Sequence, residues 1–396
     1  MTVLAPRDEA GIVEAITQAV AAREPLAIQG NATMAAMLRP VQAARALSTS
    51  ALSGITLYAP KELIIRARAG TPMAEIEAAV AEQGQHVIAE PPDFSTLSGS
   101  AGPPTLGGIV GANLSGPRRI AWGATRDHVM GVRAVNGVGE VIRSGGRVLK
   151  NVTGLDLCKL LSGSFGTLAV LTEVTLKVLP APEAVGTVVL TRLDARAGVA
   201  ALSAALGSPY GVSGAAFLPE DAAARIGFPG AATVVRIEDF STSVVYRTER
   251  LRGDLAPFGT AEILDDAASR PLWRAIRDAA PLGAEDGAIW RISVRPAAGP
   301  EVARALGAAF DARLFLDWGG GLVWVAGPDT ATAHAAVEAA ARAGGGVWTL
   351  LRGEALRGSV AVIPPEPAPL AAITRRVKTA FDPHGILNPG RMYAGL

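Results

Sequence analysis

The sequence predicts an α+β protein of two domains, and three features of the chain carry this prediction. Its 396 residues suffice for about two domains of ~150–200 residues each. From Gly186 onward, apolar strands alternate with alanine-rich helices, an order typical of an antiparallel sheet covered by helices on one face. The stretch from Pro91 to Asp127 contains seven glycines, which indicates that its backbone approaches another group closely.

The N-terminal segment begins with a predicted helix over residues 8–23. Ile12 and Ile16 recur at helical spacing, and Asp8 is positioned to cap the first turn. A short strand over 26–29 runs into the turn Gly30-Asn31-Ala32-Thr33, which is either a simple turn or a phosphate-binding cradle. The other elements predicted before Pro91 are strands over 55–59, 63–69 and 87–89 and a helix over 73–83.

Beyond Asp127 the pattern predicts β-structure followed by a domain boundary. Strands over 129–136 and 140–143 flank Gly137-Val138-Gly139 and indicate a hairpin. The Pro-Ala-Pro run at 180–182 closes the first domain, which we place at residues 1–182. The elements predicted between the hairpin and this boundary are a polar turn over 150–154, a helix over 155–161, a glycine turn over 162–167 and a strand over 168–178.

The second domain is predicted at residues 183–363, and a linker, helix and tail over 364–396 are predicted to pack back on the first domain. The strands predicted in the second domain are 187–193, 214–218, 233–238, 288–295, a hairpin over 314–326, and 347–351. One predicted helix ends at residue 206, a second begins at residue 241, and two more cover 301–310 and 331–342. A helix over 370–381 precedes a tail rich in turn formers, and the apolar Ile386, Leu387 and Met392 favour docking of that tail.

Composition excludes several classes of protein. A net charge of +1 and few aromatic side chains argue against a nucleic-acid groove. No apolar run approaches the ~20 residues of a transmembrane segment, and the N-terminus lacks the pattern of a signal peptide, so we expect a cytoplasmic protein. The single cysteine, Cys158, excludes an internal disulfide and a self-contained iron–sulfur cluster, which needs about four thiolates.

The sequence lacks the motifs of several common chemistries. Its four histidines lie far apart, without the paired spacing of a zinc site. Ser115 does not lie in a G-x-S-x-G elbow, and no P-loop lysine follows a glycine turn. The segment Gly107-Gly108-Ile109-Val110-Gly111 is not the fingerprint of a Rossmann fold. We identify no catalytic base.

Three separate glycine turns, at 30–33, 105–116 and 163–167, together suit one long ligand. Backbone N–H groups in tight turns form concave sites for phosphates. A dinucleotide such as FAD joins a diphosphate to two ring systems, so it needs several contacts spread along the chain. The sequence therefore favours a long dinucleotide such as FAD as the ligand.

Four segments taken together make the chain similar to a known family. They are SGPRR at 115–119, RDHVMG at 126–131, GGRVLKNVTG at 145–154 and NPGRMY at 388–393. The chain resembles the FAD-binding oxidoreductases of the vanillyl-alcohol oxidase (PCMH) type, and within them the FAD-binding subunit of bacterial glycolate oxidase. The resemblance implies a two-part PCMH-type FAD-binding domain closed by the C-terminal tail, with a ferredoxin-like α+β cap domain between.

The resemblance also implies which residues contact FAD. It assigns the diphosphate to Gly30, Asn31, Ala32 and Thr33, and further nucleotide contacts to Thr105, Leu106, Gly107, Gly108, Gly111, Ala112 and Ser115. It places Gly123, Arg126, Asp127, Leu168 and Val170 around the ribityl and adenine parts, and Asn388 and Arg391 near the flavin ring. Each position also has an ordinary interpretation as a turn former.

Three departures from the family pattern matter for function. The cradle is poorer in glycine than usual, and Ala32 tolerates a left-handed backbone badly. No histidine or cysteine lies in residues 30–33 or 105–116, so we expect FAD to be held without a covalent bond. The Gly-Glu-His-Gly type segment of catalytic subunits has no counterpart near 351–358, where Arg352 and Arg357 either hold a carboxylate or lie at the surface.

Three functions remain open at this stage. The first is an FAD-binding subunit of a glycolate-oxidase-like complex, which passes electrons between a catalytic flavin subunit and an iron–sulfur subunit and reaches a membrane only through them. The second is a self-sufficient FAD-dependent dehydrogenase of a small 2-hydroxy acid such as glycolate or D-lactate. The third is a scaffold without flavin. The first two make the chain an FAD-dependent oxidoreductase.

Overall fold

The computed structural model describes residues 2–98, 100, 102–146, 154–283 and 286–396. The chain divides into two compact units: the first comprises Met1–Leu114, Ala124–Ala181 and Pro365–Leu396, and the second comprises Ser115–Gly123 and Pro182–Pro364. Most of the polar turn predicted at 150–154 lies outside the described residues. Among the described helices, none combines the length and apolar composition that crossing a bilayer requires.

The first unit contains two β-sheets. The strands β1, β2 and β3 form a parallel sheet in the order β1-β3-β2, and β4, β5, β9, β7 and β8 form an antiparallel sheet in that order, with β6 paired to β9. The bounds are β1 Thr2–Leu4, α1 Glu9–Ala22, β2 Leu26–Gln29, β3 Arg45–Ser48, β4 Ile55–Ala59, β5 Ile64–Arg68, α2 Met73–Ala81, β6 Gln85–Val87, α3 Ser95–Ser98, α4 Leu106–Ala112, α6 Thr125–His128, β7 Val129–Asn136, β8 Val141–Gly145, α7 Leu157–Leu161, β9 Ala169–Pro180 and α14 Ala368–Phe381.

The second unit is built on one antiparallel sheet of eight strands in the order β13-β10-β12-β11-β15-β16-β14-β17. The bounds of its elements are α5 Arg119–Trp122, β10 Ala184–Thr191, α8 Ala195–Leu206, β11 Val212–Leu218, α9 Glu220–Ala224, β12 Ala232–Asp239, α10 Ser241–Asp254, β13 Ala261–Leu264, α11 Asp266–Arg277, β14 Ala288–Ser293, α12 Gly299–Ala309, β15 Arg313–Asp317, β16 Leu322–Gly327, α13 Ala331–Ala343 and β17 Val347–Arg352.

The α+β prediction is confirmed, but two local predictions are wrong and two strands were not predicted. The strand expected at 87–89 is β6, two residues earlier, and the stretch 105–116 contains the helix α4. Neither β1 nor β3 was predicted, because each is a short strand that pairs, among the described strands, with parallel partners distant in sequence. Such pairing leaves no turn signal and no alternating pattern to detect.

The expectation that helices cover one face of the second sheet is also wrong. A Cβ on Gly198 of α8 would lie 2.8 Å from Thr233 Oγ1, whereas Trp273 of α11 donates its indole N–H to Thr187 Oγ1 at 2.9 Å. Thr187 pairs with Arg236 across β10 and β12. Residues 233 and 236 of a strand face opposite sides, so α8 and α11 pack on opposite faces.

The C-terminal tail is part of the core of the first unit. Ile386 and Leu387 are buried with Ile16 of α1, Leu26 of β2 and Val170 of β9. The N–H of Leu26 donates to Ile386 O at 2.8 Å, and the N–H of Asn388 donates to Leu26 O at 3.1 Å. The predicted docking of the tail is therefore confirmed: the tail lies alongside β2 and pairs with it through a parallel β-bridge between Leu26 and Leu387.

A buried ion pair holds the tail in this position. Lys378 Nζ lies 2.6 Å from Asp382 Oδ2 and also donates to Thr167 O at 2.7 Å and Leu387 O at 2.8 Å. Asp382 in turn accepts from the N–H groups of Ile386 and Leu387. Both charged side chains are almost fully buried, at 6% and 2% exposure for the two residues. A buried pair with this many partners specifies one tail conformation.

A second cluster of charges ties residues 115–123 to the second unit. Arg118 donates two hydrogen bonds to the Glu238 carboxylate, at 3.0 and 2.7 Å, and Arg236 lies 3.3 Å from it. Burial acts to raise the pKa of Glu238, but the charges of Arg236 and then Arg118 outweigh it and hold that pKa well below its ordinary 4.5. The carboxylate thus stays ionised although it is buried.

We expect the stability of the second unit to fall as the pH drops below about 4.5. The folded-state pKa of Glu238 is depressed, so its stabilising contribution is present above the unfolded-state pKa and is lost as the pH falls towards the folded-state value. In Glu238→Gln, urea unfolding between neutral pH and about pH 3 should show lower stability at neutral pH, by ~3 kcal/mol, and a shallower pH dependence. The control Glu249→Gln removes an exposed pair with Arg252. Equal pH profiles in the two variants would contradict this assignment.

Candidate functional site

The turn at residues 30–33 follows the carboxyl end of β2 and forms a concave stretch of backbone. Ala32 has φ +59°, in the left-handed region. Asn31 donates its side-chain amide to Pro103 O at 2.9 Å, and the Ser48 hydroxyl donates to Gly30 O at 2.9 Å. No described residue accepts a hydrogen bond from the backbone N–H groups of Asn31, Ala32 or Thr33. Consecutive free N–H groups around a left-handed residue form an anion-binding nest.

The helix α4 packs directly against this turn. A Cβ on Gly30 would lie 2.3 Å from Thr105 Oγ1, and Thr105 caps α4 by accepting from the N–H of Gly108 at 3.3 Å. The close approach explains the glycine at position 30, since any side chain there would displace the start of α4.

The N–H groups at the start of α4 are already used within the protein. Leu106 N donates to Thr71 O at 2.9 Å, and Gly107 N donates to Ala69 O at 2.7 Å. A Cβ on Gly107 would lie 2.8 Å from the Cβ of Ala69, so this glycine serves helix packing. The N–H groups of Leu106, Gly107 and Gly108 therefore already have acceptors within the protein.

Further along α4 the surface is open. Among the described atoms, none lies within 4 Å of a Cβ placed on Gly111. The glycine turn at 163–167 lies beside it: the N–H of Phe165 donates to Gly111 O at 2.8 Å, and that of Gly163 donates to Val110 O at 3.1 Å. Two of the three predicted glycine turns therefore meet at the end of α4, with Ala112 next to them in the chain.

Asn388 and Arg391 contact the backbone on either side of the 30–33 turn. Asn388 accepts from Ile28 N at 2.7 Å and donates to Phe165 O at 2.7 Å. Arg391 donates to Met34 O at 2.6 Å and to Arg39 O at 2.9 Å. Both side chains are buried. The structure thus places the tail residues beside the cradle, with their polar atoms directed to protein backbone.

The remaining predicted site residues are spread more widely. Val170 lies in the core of the first unit, and Leu168 lines a cavity of about 250 Å³ beside α14. Arg126 and Asp127 are exposed, although the N–H of Arg126 donates to the Asn113 side chain at 3.0 Å. Ser115 and Gly123 belong to the second unit.

The residues of the first unit fit an FAD diphosphate. The nest at 31–33 offers backbone N–H groups to which no described residue is an acceptor, and the surface at Gly111 leaves open space. Phosphate oxygens supply the acceptors that such a nest lacks. These observations agree with a cofactor bound across the turn and α4.

The second unit contains a pair of arginines around one indole ring, an arrangement that no pattern in the sequence predicts. The Cζ atoms of Arg119 and Arg291 lie 4.8 and 5.4 Å from the centroid of the Trp318 ring. Burial and then the neighbouring Arg119 charge lower the pKa of Arg291 to about 10. Arg352, by contrast, donates its Nε to Gly287 O at 2.9 Å. Both guanidinium groups are thus within cation–π distance of the same indole ring.

Two family descriptions match the chain. The FAD binding domain matches residues 2–145, and the C-terminal domain of FAD linked oxidases matches residues 367–392. These are the segments that carry the cradle, α4 and the docked tail.

Curated relatives and solved structures agree with these matches. The chain is 34% identical over 387 residues to the glycolate oxidase subunit GlcE of Escherichia coli, which covers 97% of both chains. It is 32% identical over 182 residues to the glycolate oxidase subunit GlcD of Bacillus subtilis, covering 46% of this chain and 37% of that one. The fold is similar to 4-ethylphenol oxidase from Gulosibacter chungangensis, with a TM-score of 0.73 at 13% identity over 99% of this chain and 89% of that one.

We expect Ala32→Gly to stabilise the protein by ~1 kcal/mol, because the substitution relieves the left-handed strain at φ +59°. Urea unfolding measures this gain, and an FAD titration should give an affinity equal to or tighter than that of the wild type. Ala78→Gly, at an exposed position within α2, is the matched control and should lose ~0.5–1 kcal/mol. A loss of stability in both variants would show that Ala32 is not strained.

Proposed function

Since the chain belongs to the FAD-linked oxidases of the vanillyl-alcohol oxidase type and has FAD as its cofactor, we propose that it is the FAD-binding subunit of a glycolate-oxidase-like 2-hydroxy-acid dehydrogenase complex. The similarity to GlcE over nearly the whole chain carries the subunit assignment. The nest at 31–33 supports the placement of the cofactor. No histidine or cysteine lies in the turn or in residues 105–116, which supports non-covalent binding.

In this proposal the N–H groups of Asn31, Ala32 and Thr33 bind the diphosphate. The surface of α4 at Gly108 and Gly111 contacts the cofactor through van der Waals packing, because the N–H groups of 106–108 have acceptors within the protein. Bound FAD would supply the redox chemistry by accepting and releasing electrons. The residues of the chain bind and orient it.

The proposed partners are a catalytic flavin subunit and an iron–sulfur subunit. A single cysteine requires any cluster to be held by another chain. The helix α14 exposes Ile373, at 55%, in the lining of the cavity of about 250 Å³, and Leu370, at 48%, one helical turn earlier. Exposed apolar side chains grouped at a cavity are common where subunits meet. In the assembled complex, any membrane association would come through these partners.

The arginines at Trp318 favour a second candidate function. A 2-hydroxy acid carries a carboxylate, and Arg291, beside the indole of Trp318, offers a guanidinium group for it. That arrangement would suit a self-sufficient dehydrogenase of glycolate or D-lactate. Among the described residues we identify no base beside Arg291: His334, the histidine of α13, accepts from the Trp290 indole N–H at 3.0 Å and is buried between that helix and the sheet. For this reason we rank the subunit function first.

The proposed cofactor site predicts that Gly111→Val loses FAD while the fold is retained. The valine branches would fill the open space at α4 that the cofactor needs, so the visible flavin absorbance per polypeptide should fall at least tenfold. Gly253→Val, also in a helix and in open surroundings, is the control and should keep the wild-type absorbance. Full flavin retention in Gly111→Val would refute the placement of FAD at α4.

A reconstitution experiment tests the subunit role. The purified chain, loaded with FAD, is assayed with glycolate and D-lactate and an artificial electron acceptor, alone and after co-expression with the catalytic flavin and iron–sulfur subunits. We expect turnover only in the co-expressed complex. Turnover by the isolated chain that is lost in Arg291→Gln would establish the self-sufficient dehydrogenase instead. A wild-type protein that stays colourless after FAD is added would indicate a flavin-free scaffold.

A further inference from the structure

We propose that Asn388 and Arg391 are positioning residues that fix the backbone on both sides of the 30–33 turn and so hold its N–H groups in place for the FAD diphosphate. This role differs from contact with the flavin ring, which the family resemblance implies for them. The inference rests on the proposed FAD site. It assigns to the C-terminal tail a function in cofactor affinity.

Asn388 fixes the strand that enters the turn. Its side chain accepts from Ile28 N at 2.7 Å and donates to Ile28 O at 3.2 Å, so it pairs with both polar groups of one residue. It also donates to Phe165 O at 2.7 Å. Ile28 precedes Gly30 by two residues. The position of Asn388 therefore determines where β2 ends and where the turn begins.

Arg391 fixes the segment that leaves the turn. Its guanidinium donates to Met34 O at 2.6 Å, to Ala35 O at 3.3 Å and to Arg39 O at 2.9 Å. The Arg39 N–H donates back to Arg391 O at 3.1 Å. A planar guanidinium with several fixed donors can hold three carbonyl groups at once, which a shorter or flexible side chain cannot do.

The turn between these two contacts needs such support. Ala32 is held in the left-handed region, and strained residues persist only where the surrounding structure fixes them. A nest binds an anion tightly when its N–H groups are positioned before the ligand arrives. Contacts at residues 28 and 34–39 restrain the turn from both ends.

The tail is itself fixed before it reaches the cradle. The Lys378–Asp382 pair binds the backbone of Ile386 and Leu387, and Leu387 forms a parallel β-bridge with Leu26. Asn388 follows directly, with φ +43°. The contacts run from a buried ion pair to the turn without any contribution from the cofactor.

The experiment compares Asn388→Gly and Arg391→Met with matched controls in the full-length apoprotein. Glycine tolerates the positive φ of residue 388, so the variant removes the side-chain contacts with little backbone strain. The control Asn136→Gly removes a buried asparagine that also makes three hydrogen bonds, with Val138 and Glu140 in the β7–β8 turn. Arg376→Met, on the exposed side of α14, is the arginine control.

Three quantities are measured for each variant: the urea midpoint of the apoprotein, the Kd for FAD, and the inhibition constant of ADP as a competitor of FAD. ADP carries the diphosphate and the adenosine of FAD without the flavin ring, so it separates an effect on the nucleotide end, which includes the cradle, from an effect on flavin-ring contacts. We expect FAD and ADP to bind at least about tenfold more weakly to Asn388→Gly and Arg391→Met. Asn136→Gly should lower the urea midpoint but leave both affinities within about twofold of the wild type, as should Arg376→Met.

The outcomes separate this inference from the proposed function. If both tail variants bind FAD and ADP within twofold of Asn136→Gly, the positioning role is wrong while the FAD site stands. If the wild type binds no FAD, the proposed function is overturned and this inference with it. Should Asn388→Gly fail to fold, Asn388→Asp keeps the acceptor for Ile28 N and removes both donors, and the same weakening of ADP is expected.

Discussion

The docking of the C-terminal tail onto β2 is the interaction on which the first unit depends. A buried lysine and a buried carboxylate are costly to desolvate, and they are stable here because Lys378 and Asp382 satisfy one another and the backbone of the tail. Because this pair binds the N–H and C=O groups of Leu387, it holds Leu387 in the core beside Leu26. Residues more than 350 positions apart are thereby joined at the point where the cofactor turn begins.

This arrangement explains how a turn poor in glycine still forms an anion site. Ala32 is strained in the left-handed region, and nothing in the turn itself compensates for that strain. The neighbouring contacts do so: Thr105 packs under Gly30, and the tail holds the chain before and after the turn. The free N–H groups are thus a property of the assembled unit, and the turn sequence alone is insufficient.

The two units carry different chemistry. The first offers backbone donors and open space suited to a dinucleotide, while the second offers guanidinium groups around Trp318 suited to a small anion. Glu238 forms ion pairs with both Arg118 and Arg236, so Arg118 is tied to the sheet while the adjacent Arg119 stacks on the indole. Adjacent arginines in one segment therefore have separate roles, one in attaching that segment and one in shaping a charged surface.

The sequence by itself determined the α+β class, most helices and strands, and FAD as the cofactor, because these depend on local periodicity, turn residues and motifs that are continuous in the chain. The tertiary structure alone decided that the N–H of Leu106 donates to Thr71 O and that of Gly107 to Ala69 O. It also decided that Asn388 and Arg391 bind backbone around the cradle, and that Arg119 and Arg291 lie at the same indole ring. Each of these pairings joins residues from distant segments. Local pattern carries no information about which distant donor and acceptor the folded chain brings within hydrogen-bond distance.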